Sequence, residues 1–427
     1  MALVDNSTTS YFLYKGQPMG FEYELLERMC EDLDLELEVK LVYNLDGVLD
    51  KLNSGEGDLI AANLTVTRDR NEQANFSEHL FKTRQVLVQN PENSKDLILD
   101  PTELAGKTIH VRAGSSFYER LLNLSEEIGE DIDIVALSDS LDDHVLNKTI
   151  QLIEGVAKRE IQFTVADEHI ARVEKKLYPQ IHVKTEISLP QKIAWAMRLP
   201  DTNLRNAVND WIIHAKKTND FHTIKLKYFK ARTKLKTKIE SDYSSLSGGK
   251  ISPYDGFILQ YGNELNWDWR LLASQIYQES GFDPNAVAWT GASGLMQLLP
   301  TTAATYGVDS TFLLDPESNI RAGTRYLAWI NDFWKGSVPD TAERTKFVLA
   351  SYNVGLGHII DAKNLAAKYG ADPTLWDGNV ETYILKKTER EYYTDPVCKH
   401  GYCRGSEPYN YVREVMARYR HYQNLIE

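Results

Sequence analysis

The 427-residue sequence predicts an α/β domain followed by a mainly α domain. Three observations carry that reading. Up to about residue 215, short apolar runs alternate with segments of helical period, as in α/β units. Over 221–238 the texture turns basic, with Lys225, Lys227, Lys230, Arg232, Lys234, Lys236 and Lys238, and a Ser- and Gly-rich stretch follows at 241–249. Beyond residue 252 the alternation stops, and helical patterns joined by Gly, Pro and Asn turns take over. The expected organisation is a domain over 1–225, a basic connector over 226–252 and a second domain over 253–427. The basic run is a patch for a membrane or polyanion or, as preferred here, a solvated helix or connector.

The elements follow in order. A short first strand is expected at Leu3 and Val4. Residues 20–33 set Phe21, Leu25, Met29 and Leu33 on one stripe with acids between them, an amphipathic helix. Residues 35–43 alternate with period two, as a half-buried strand does. Apolar runs at 58–62, 108–111, 132–135 and 163–166 read as further strands. In the second half, helical patterns cover 268–279, 320–334, 341–353, 356–369 and 409–426.

Composition narrows the class. With 42% hydrophobic and 26% charged residues against 25 Gly and 14 Pro, the chain is globular and neither disordered nor collagen-like. A formal charge of -13 opposes broad capture of a nucleic-acid backbone, and no zinc or helix-turn-helix signature is seen. No apolar run reaches the roughly 18 to 20 residues of a membrane span, and Met1 to Val4 is too short for a signal peptide. A cytosolic protein, or one whose export segment precedes this sequence, is expected.

The sharpest local feature is residues 265–281. Asn266 or Asp268 can cap a helix start and Gly281 can end it. Trp269, Leu272 and Ile276 form the apolar face, and Glu279 falls on that face, seven residues after Leu272 and three after Ile276. Desolvation raises a carboxyl pKa, which lets a glutamate hold a proton near neutral pH and act as a general acid. The alternative is a helix-end acid satisfied by hydrogen bonds or an ion pair. Further on, Gly291 and Gly294 permit a tight path beside Met296 and Gln297, and Tyr352 and Asn353 close a helix.

The ordered set Glu279-Ser280, Gly294-Leu295-Met296-Gln297, Ser351-Tyr352-Asn353-x-Gly355 and Glu407-x-x-x-Tyr411-Val412 resembles the lytic murein transglycosylases of goose-type-lysozyme-like fold. Serine stands at Ser351 where that family commonly has alanine, and proline at Pro408 where threonine is common. The resemblance implies cleavage of the MurNAc-β-1,4-GlcNAc bond of peptidoglycan, with Glu279 as acid and then base and a 1,6-anhydro product. It also implies that Ser293, Met296, Gln297, Tyr352, Asn353 and Tyr411 line the saccharide groove, with Ser280 orienting the site and no cofactor needed.

The first half resembles the periplasmic amino-acid-binding proteins. Gly20-Phe21-Glu22-Tyr23, Gly57-Asp58-Leu59, Thr65-Val66-Thr67-Arg68-Asp69-Arg70, Gly114-Ser115-Ser116 and Ala166-Asp167 carry this likeness. It implies two lobes closing on a ligand, Arg70 on a carboxylate, Asp167 on an ammonium, Thr65, Ser115 and Ser116 as further partners, and Tyr11 as an aromatic wall. On the residues alone, Arg70 also reads as a surface ion-pair member and Asp167 as a helix-start acid. The fusion of both modules resembles the membrane-bound lytic transglycosylase F family. It implies a periplasmic enzyme, attached to the outer membrane through a segment outside these residues, whose front domain senses a cell-wall peptide or amino acid and modulates activity. The competing readings are a lysozyme-type hydrolase and a non-catalytic peptidoglycan or amino-acid binding protein.

Three cysteines do not make a disulfide scaffold. Cys398 and Cys403 flank His400, one ligand short of a zinc site, so a small disulfide loop is favoured, as suits an oxidising periplasm. Cys30, on the apolar side of its helix, reads as a buried thiol.

Overall fold

The structure, a computed structural model, describes residues 1–43, 45, 47–137, 148–230 and 232–426. The chain divides into two compact units, 1–250 and 251–423, with Asn424 and the residues after it grouping with the first.

The first unit has two five-stranded sheets. In one the order is Val39–Leu41, Ala2–Val4, Leu59–Ile60, Ala196–Met197, Asn75–Phe76, and the first three run parallel. Parallel neighbours need helical crossovers, and the Phe21–Asp32 and Val48–Asn53 helices supply them. The other sheet runs Asp133–Leu137, Thr108–Arg112, Phe163–Asp167, Gln85–Gln89, His182–Glu186. Strand alternation feeds a core on each face. Ala2 and Val4 join Phe21, Trp195 and Trp211, while Leu3 joins Val48, Leu52 and Ile60. Likewise Leu87 faces Ile109 and Val165, while Val86 and Val88 face Ile153 and Ala166. The chain crosses between lobes twice, and the crossings pair antiparallel as Phe81–Thr83 with Gln191–Ile193. This ribbon is where a hinge would bend.

Two expectations are corrected here. The strand expected over 35–43 shrinks to Val39–Leu41, because its partner Ala2–Val4 offers only three residues to pair with, and Leu35 stays exposed. The basic connector over 226–252 is not a free linker. The Asn219–Phe229 and Arg232–Ile239 helices pack into the first unit, where Tyr228, Leu235 and Leu246 are buried. Ser245 bonds Leu13 through both backbone and side chain. The lysines dominated the sequence pattern, but the apolar residues between them decide the packing. The side chains of Arg232, Lys234 and Lys236 lie outside the described set.

The second unit is helical. Pro316–Lys335 begins four residues before the expected 320, because Asp315 caps it by accepting from the Ser318 amide at 2.9 Å and Pro316 suits the first turn. Its Trp334 meets Phe347 of the Thr341–Val354 helix at 5.2 Å, and Phe347 meets Trp376 at 5.5 Å. A buried ion pair joins Lys387 and Asp361 at 2.7 Å, and Asp361 also accepts from the Lys399 and His400 amides. That clamp shapes the 398–403 loop in place of the expected disulfide. Cys398 and Cys403 are free thiols; the Cys398 sulfur contacts the Tyr392 carbonyl instead, and Cys403 is buried. Cys30 is a buried thiol as expected. Among the described residues no helix is long and apolar enough to cross a membrane.

Candidate functional site

Glu279 sits in the last turn of the Trp269–Ser280 helix. Asp268 caps the start by accepting from the Arg270 amide at 3.0 Å, while Asn266 instead ends the preceding helix in the left-handed region. Gly281, at φ 60°, closes this helix where a side chain would be strained. Burial pushes the Glu279 carboxyl up from its usual value to about 7, partly offset by the hydrogen bond from Tyr411. The Tyr411 hydroxyl donates to Glu279 Oε1 at 2.5 Å. Both Tyr411 and Tyr352 have their phenol pKa raised, by burial first and then by the nearby Glu279 charge. The three side chains therefore form one cluster.

Tyr352 is held from two sides. Its hydroxyl donates to the Met296 carbonyl at 2.7 Å, and its ring packs on Tyr326 at 5.2 Å. Met296 itself is fully buried against Gly323, so it supports Tyr352 through its backbone and does not offer the exposed apolar wall expected of it. The turn carrying Met296 is pinned by Asn319. This buried amide accepts from the Met296 amide at 2.7 Å and donates to the Ser293 and Leu313 carbonyls at 3.0 and 2.8 Å. Gly294 runs so close to Asn319 that a Cβ would fall 2.3 Å from its Nδ2. Gln297 spends its amide nitrogen on the Ala286 and Gly294 carbonyls, closing the same loop, and Ser293 bonds the Gly291 carbonyl. Asn353 lies exposed beside Tyr352, and Ser280 bonds back to the Ile276 carbonyl within its own helix.

Asn319 and Tyr326 were missed in the sequence. The signal for Asn319 was an amide next to Ile320 at the start of a helix's buried face; for Tyr326 there was only helical spacing. The serine at Ser351 also finds its reason, since its Oγ accepts from the buried Trp334 indole at 2.9 Å.

The second site is a cleft between the lobes of the first unit. Thr65 and Arg70 line it from the first lobe, and Ser115, Ser116 and Asp167 from the second. Thr67 caps the Arg68–Gln73 helix and so positions Arg70, whose Nη1 donates to the Thr65 carbonyl at 3.1 Å. Ser115 caps the Ser116–Ile128 helix, and Ser116 accepts from Gln85 at 3.0 Å. Burial lifts the Asp167 carboxyl to about 7, opposed by the Asn63 hydrogen bond and by the Arg112 and Arg70 charges. Tyr11 is the exception. It is fully buried, with its ring packed on Tyr23 at 5.3 Å, so it forms core where a cleft wall was expected.

Asn63, unnoticed in the sequence, bridges the lobes. Its Nδ2 donates to Asp167 Oδ2 at 3.1 Å and its Oδ1 lies 2.7 Å from His169 Nε2. The amide orientation puts the imidazole proton on Nε2, and burial lowers the His169 pKa to about 3, keeping the ring neutral. Asn63 holds φ 51°, a conformation asparagine tolerates better than most residues.

Comparisons with known proteins match both units. Residues 256–374 match the Transglycosylase SLT domain model, and residues 3–231 match that of the bacterial extracellular solute-binding proteins, family 3. The chain is 36% identical over 419 residues to a membrane-bound lytic murein transglycosylase F of Desulfosudis oleivorans, covering 98% of this chain and 88% of that protein. It is 30% identical over 427 residues to one from Photobacterium profundum, covering 99% and 78%. Among solved structures, an ancestral arginine-binding protein bound to arginine is 22% identical, with a TM-score of 0.46, over 54% of this chain and 97% of that one. A solute-binding-protein-like unit joined to a helical transglycosylase unit, matched along nearly its whole length, places this chain in the membrane-bound lytic murein transglycosylase F family.

Proposed function

We propose that the second unit cleaves the MurNAc-β-1,4-GlcNAc bond without water. Protonated Glu279 gives its proton to the glycosidic oxygen as the C1–O bond breaks. The substrate's N-acetyl group helps carry the positive charge at C1. Glu279, now a carboxylate, takes the proton of the muramic C6 hydroxyl, whose oxygen closes on C1 to give the 1,6-anhydro ring. Tyr411 and Tyr352 hold the acid and the groove wall beside it, while Ser293, Gln297 and Asn353 face or support the saccharide path. The carrying observation is a buried Glu279 carboxyl, raised to about 7 and hydrogen-bonded by the Tyr411 hydroxyl, which suits one group acting first as acid and then as base. Mass spectrometry of digested peptidoglycan tests this. Anhydro ends support it; ordinary reducing ends favour a lysozyme-type hydrolase, and no products at all favour a non-catalytic binder.

The first unit, in this reading, binds an amino acid or cell-wall peptide, with Arg70 on a carboxylate and Asp167 on an ammonium, and its occupancy modulates the enzyme. Such coupling needs a ligand that binds two states of the protein unequally. Turnover measured with and without amino acids and stem peptides, then repeated with Arg70→Ala, tests it; rates unchanged throughout would reduce this unit to a localiser. In this reading the protein works in the periplasm, where its substrate lies, attached to the outer membrane; the relatives' name, membrane-bound, supports membrane association.

A further inference from the structure

The interlobe cleft contains a guanidinium that its surroundings leave unsatisfied. Arg112 ends the Thr108–Arg112 strand, lines the cleft from the second lobe and is only 8% exposed. Among the described residues its side chain makes no hydrogen bond, and its Nε is buried without a partner. Arg70, on the opposite lobe, already spends Nη1 on the Thr65 carbonyl. Asp167 Oδ1, on the same cleft, is likewise buried with no hydrogen-bond partner among the described residues, although the Arg112 and Arg70 charges act on the carboxyl, and its residue is 2% exposed. A guanidinium carries five N–H donors in a fixed fork. Burying it with donors unmet is costly, so such a group is one that a water, an ion or a ligand's anionic group would satisfy.

Other charges face this space and limit what fits. Asp5 and Asp167 line the cleft, and Glu119 lies near Arg70. One acid is needed for a ligand's ammonium, and two guanidiniums reach in from opposite lobes. We propose that Arg112 grips a second anionic group, so that the cleft selects an ammonium compound bearing two carboxylates, one on Arg70 and the other on Arg112. This rests on reading the first unit as an amino-acid-type binder. A carboxylate meets a guanidinium through two parallel charge-assisted bonds, which an uncharged amide of the same shape cannot reproduce.

The test is calorimetric titration of the full chain with L-glutamate and the dipeptide Ala-Glu, each against its amide isostere, L-glutamine and Ala-Gln. At least one acidic member should bind about tenfold or more tightly than its isostere, and which one does separates a free amino acid from a peptide end. Arg112→Gln should erase that preference, bringing the acid's affinity down to the level of its amide isostere in the same variant. Arg112→Lys, which keeps the charge but loses the fork, should retain part of it. Melting curves of both variants check that they fold. Equal affinity for acid and amide in the unaltered protein, or Arg112→Gln weakening both alike, overturns the Arg112 assignment alone. If no probe and no other amino acid binds, the amino-acid reading falls and this inference with it.

Discussion

Tyr411 donates its hydroxyl to Glu279 Oε1 from a separate helix, 132 residues away in sequence, and among the described residues is the one neighbour that favours the ionised acid against its burial. Burial and this bond pull in opposite directions, and burial wins, leaving the acid poised near neutrality. That balance suits a group that must give a proton and then take one.

Removing the donor tips it. In Tyr411→Phe the carboxylate loses its hydrogen bond, so the Glu279 pKa should rise further and the alkaline limb of kcat/KM should move up by roughly one pH unit. A pH profile decides; a limb that stays put or moves down would remove Tyr411 from this role.

Glu279→Gln should cost about 10²- to 10⁴-fold in turnover and yet raise thermal stability at alkaline pH. The folded acid keeps its proton up to about pH 7, whereas the unfolded one loses it above about 4.3. The stability that the buried acid contributes is therefore whole below the lower value and lost as pH rises through the upper one. The melting temperature of the variant relative to the parent should climb between pH 4 and 8. A constant difference across that range would refute the buried acid.

Burial lifts the Asp167 carboxyl to about 7, and an ammonium ligand needs it ionised. Binding should be about tenfold weaker at pH 6 than at pH 8 and should release a proton at pH 6. Titrations in buffers of different ionisation enthalpy count that proton, and Asp167→Asn should abolish it. Affinity independent of pH would sink Asp167 as the ammonium partner.

Ser351→Ala strips the buried Trp334 indole of its acceptor. Denaturant unfolding of the variant should show a loss of about 1–3 kcal/mol with kcat/KM unchanged. A loss confined to activity would point instead to a role in the groove.

Much of this architecture was legible beforehand, because it lies in local periodicity. The Trp269–Ser280 helix, its Asp268 and Gly281 caps and the inward turn of Glu279 all follow from spacing within one segment. The lobes' strands were legible too, but not their length: Val39–Leu41 stops where Ala2–Val4 gives it no more partners. Tyr11 misled because an aromatic near a motif gives no sign of which way its ring turns, and here it turns onto Tyr23. Cys398 and Cys403 misled because sequence proximity says nothing of the Asp361 clamp, 37 residues or more upstream, that shapes their loop.

The sequence by itself determined the two-part plan, the acid and the residue types of both sites, since these depend on neighbours three to eight positions apart and on motif order. Only the tertiary structure decided what those residues touch. It brought Tyr411 to Glu279, set Asn319 beneath the Gly294 turn, passed Asn63 across to Asp167 and left Arg112 facing the cleft. Each of these depends on packing between distant segments, where the cost of burying a charge or an amide is settled by partners that local sequence cannot name.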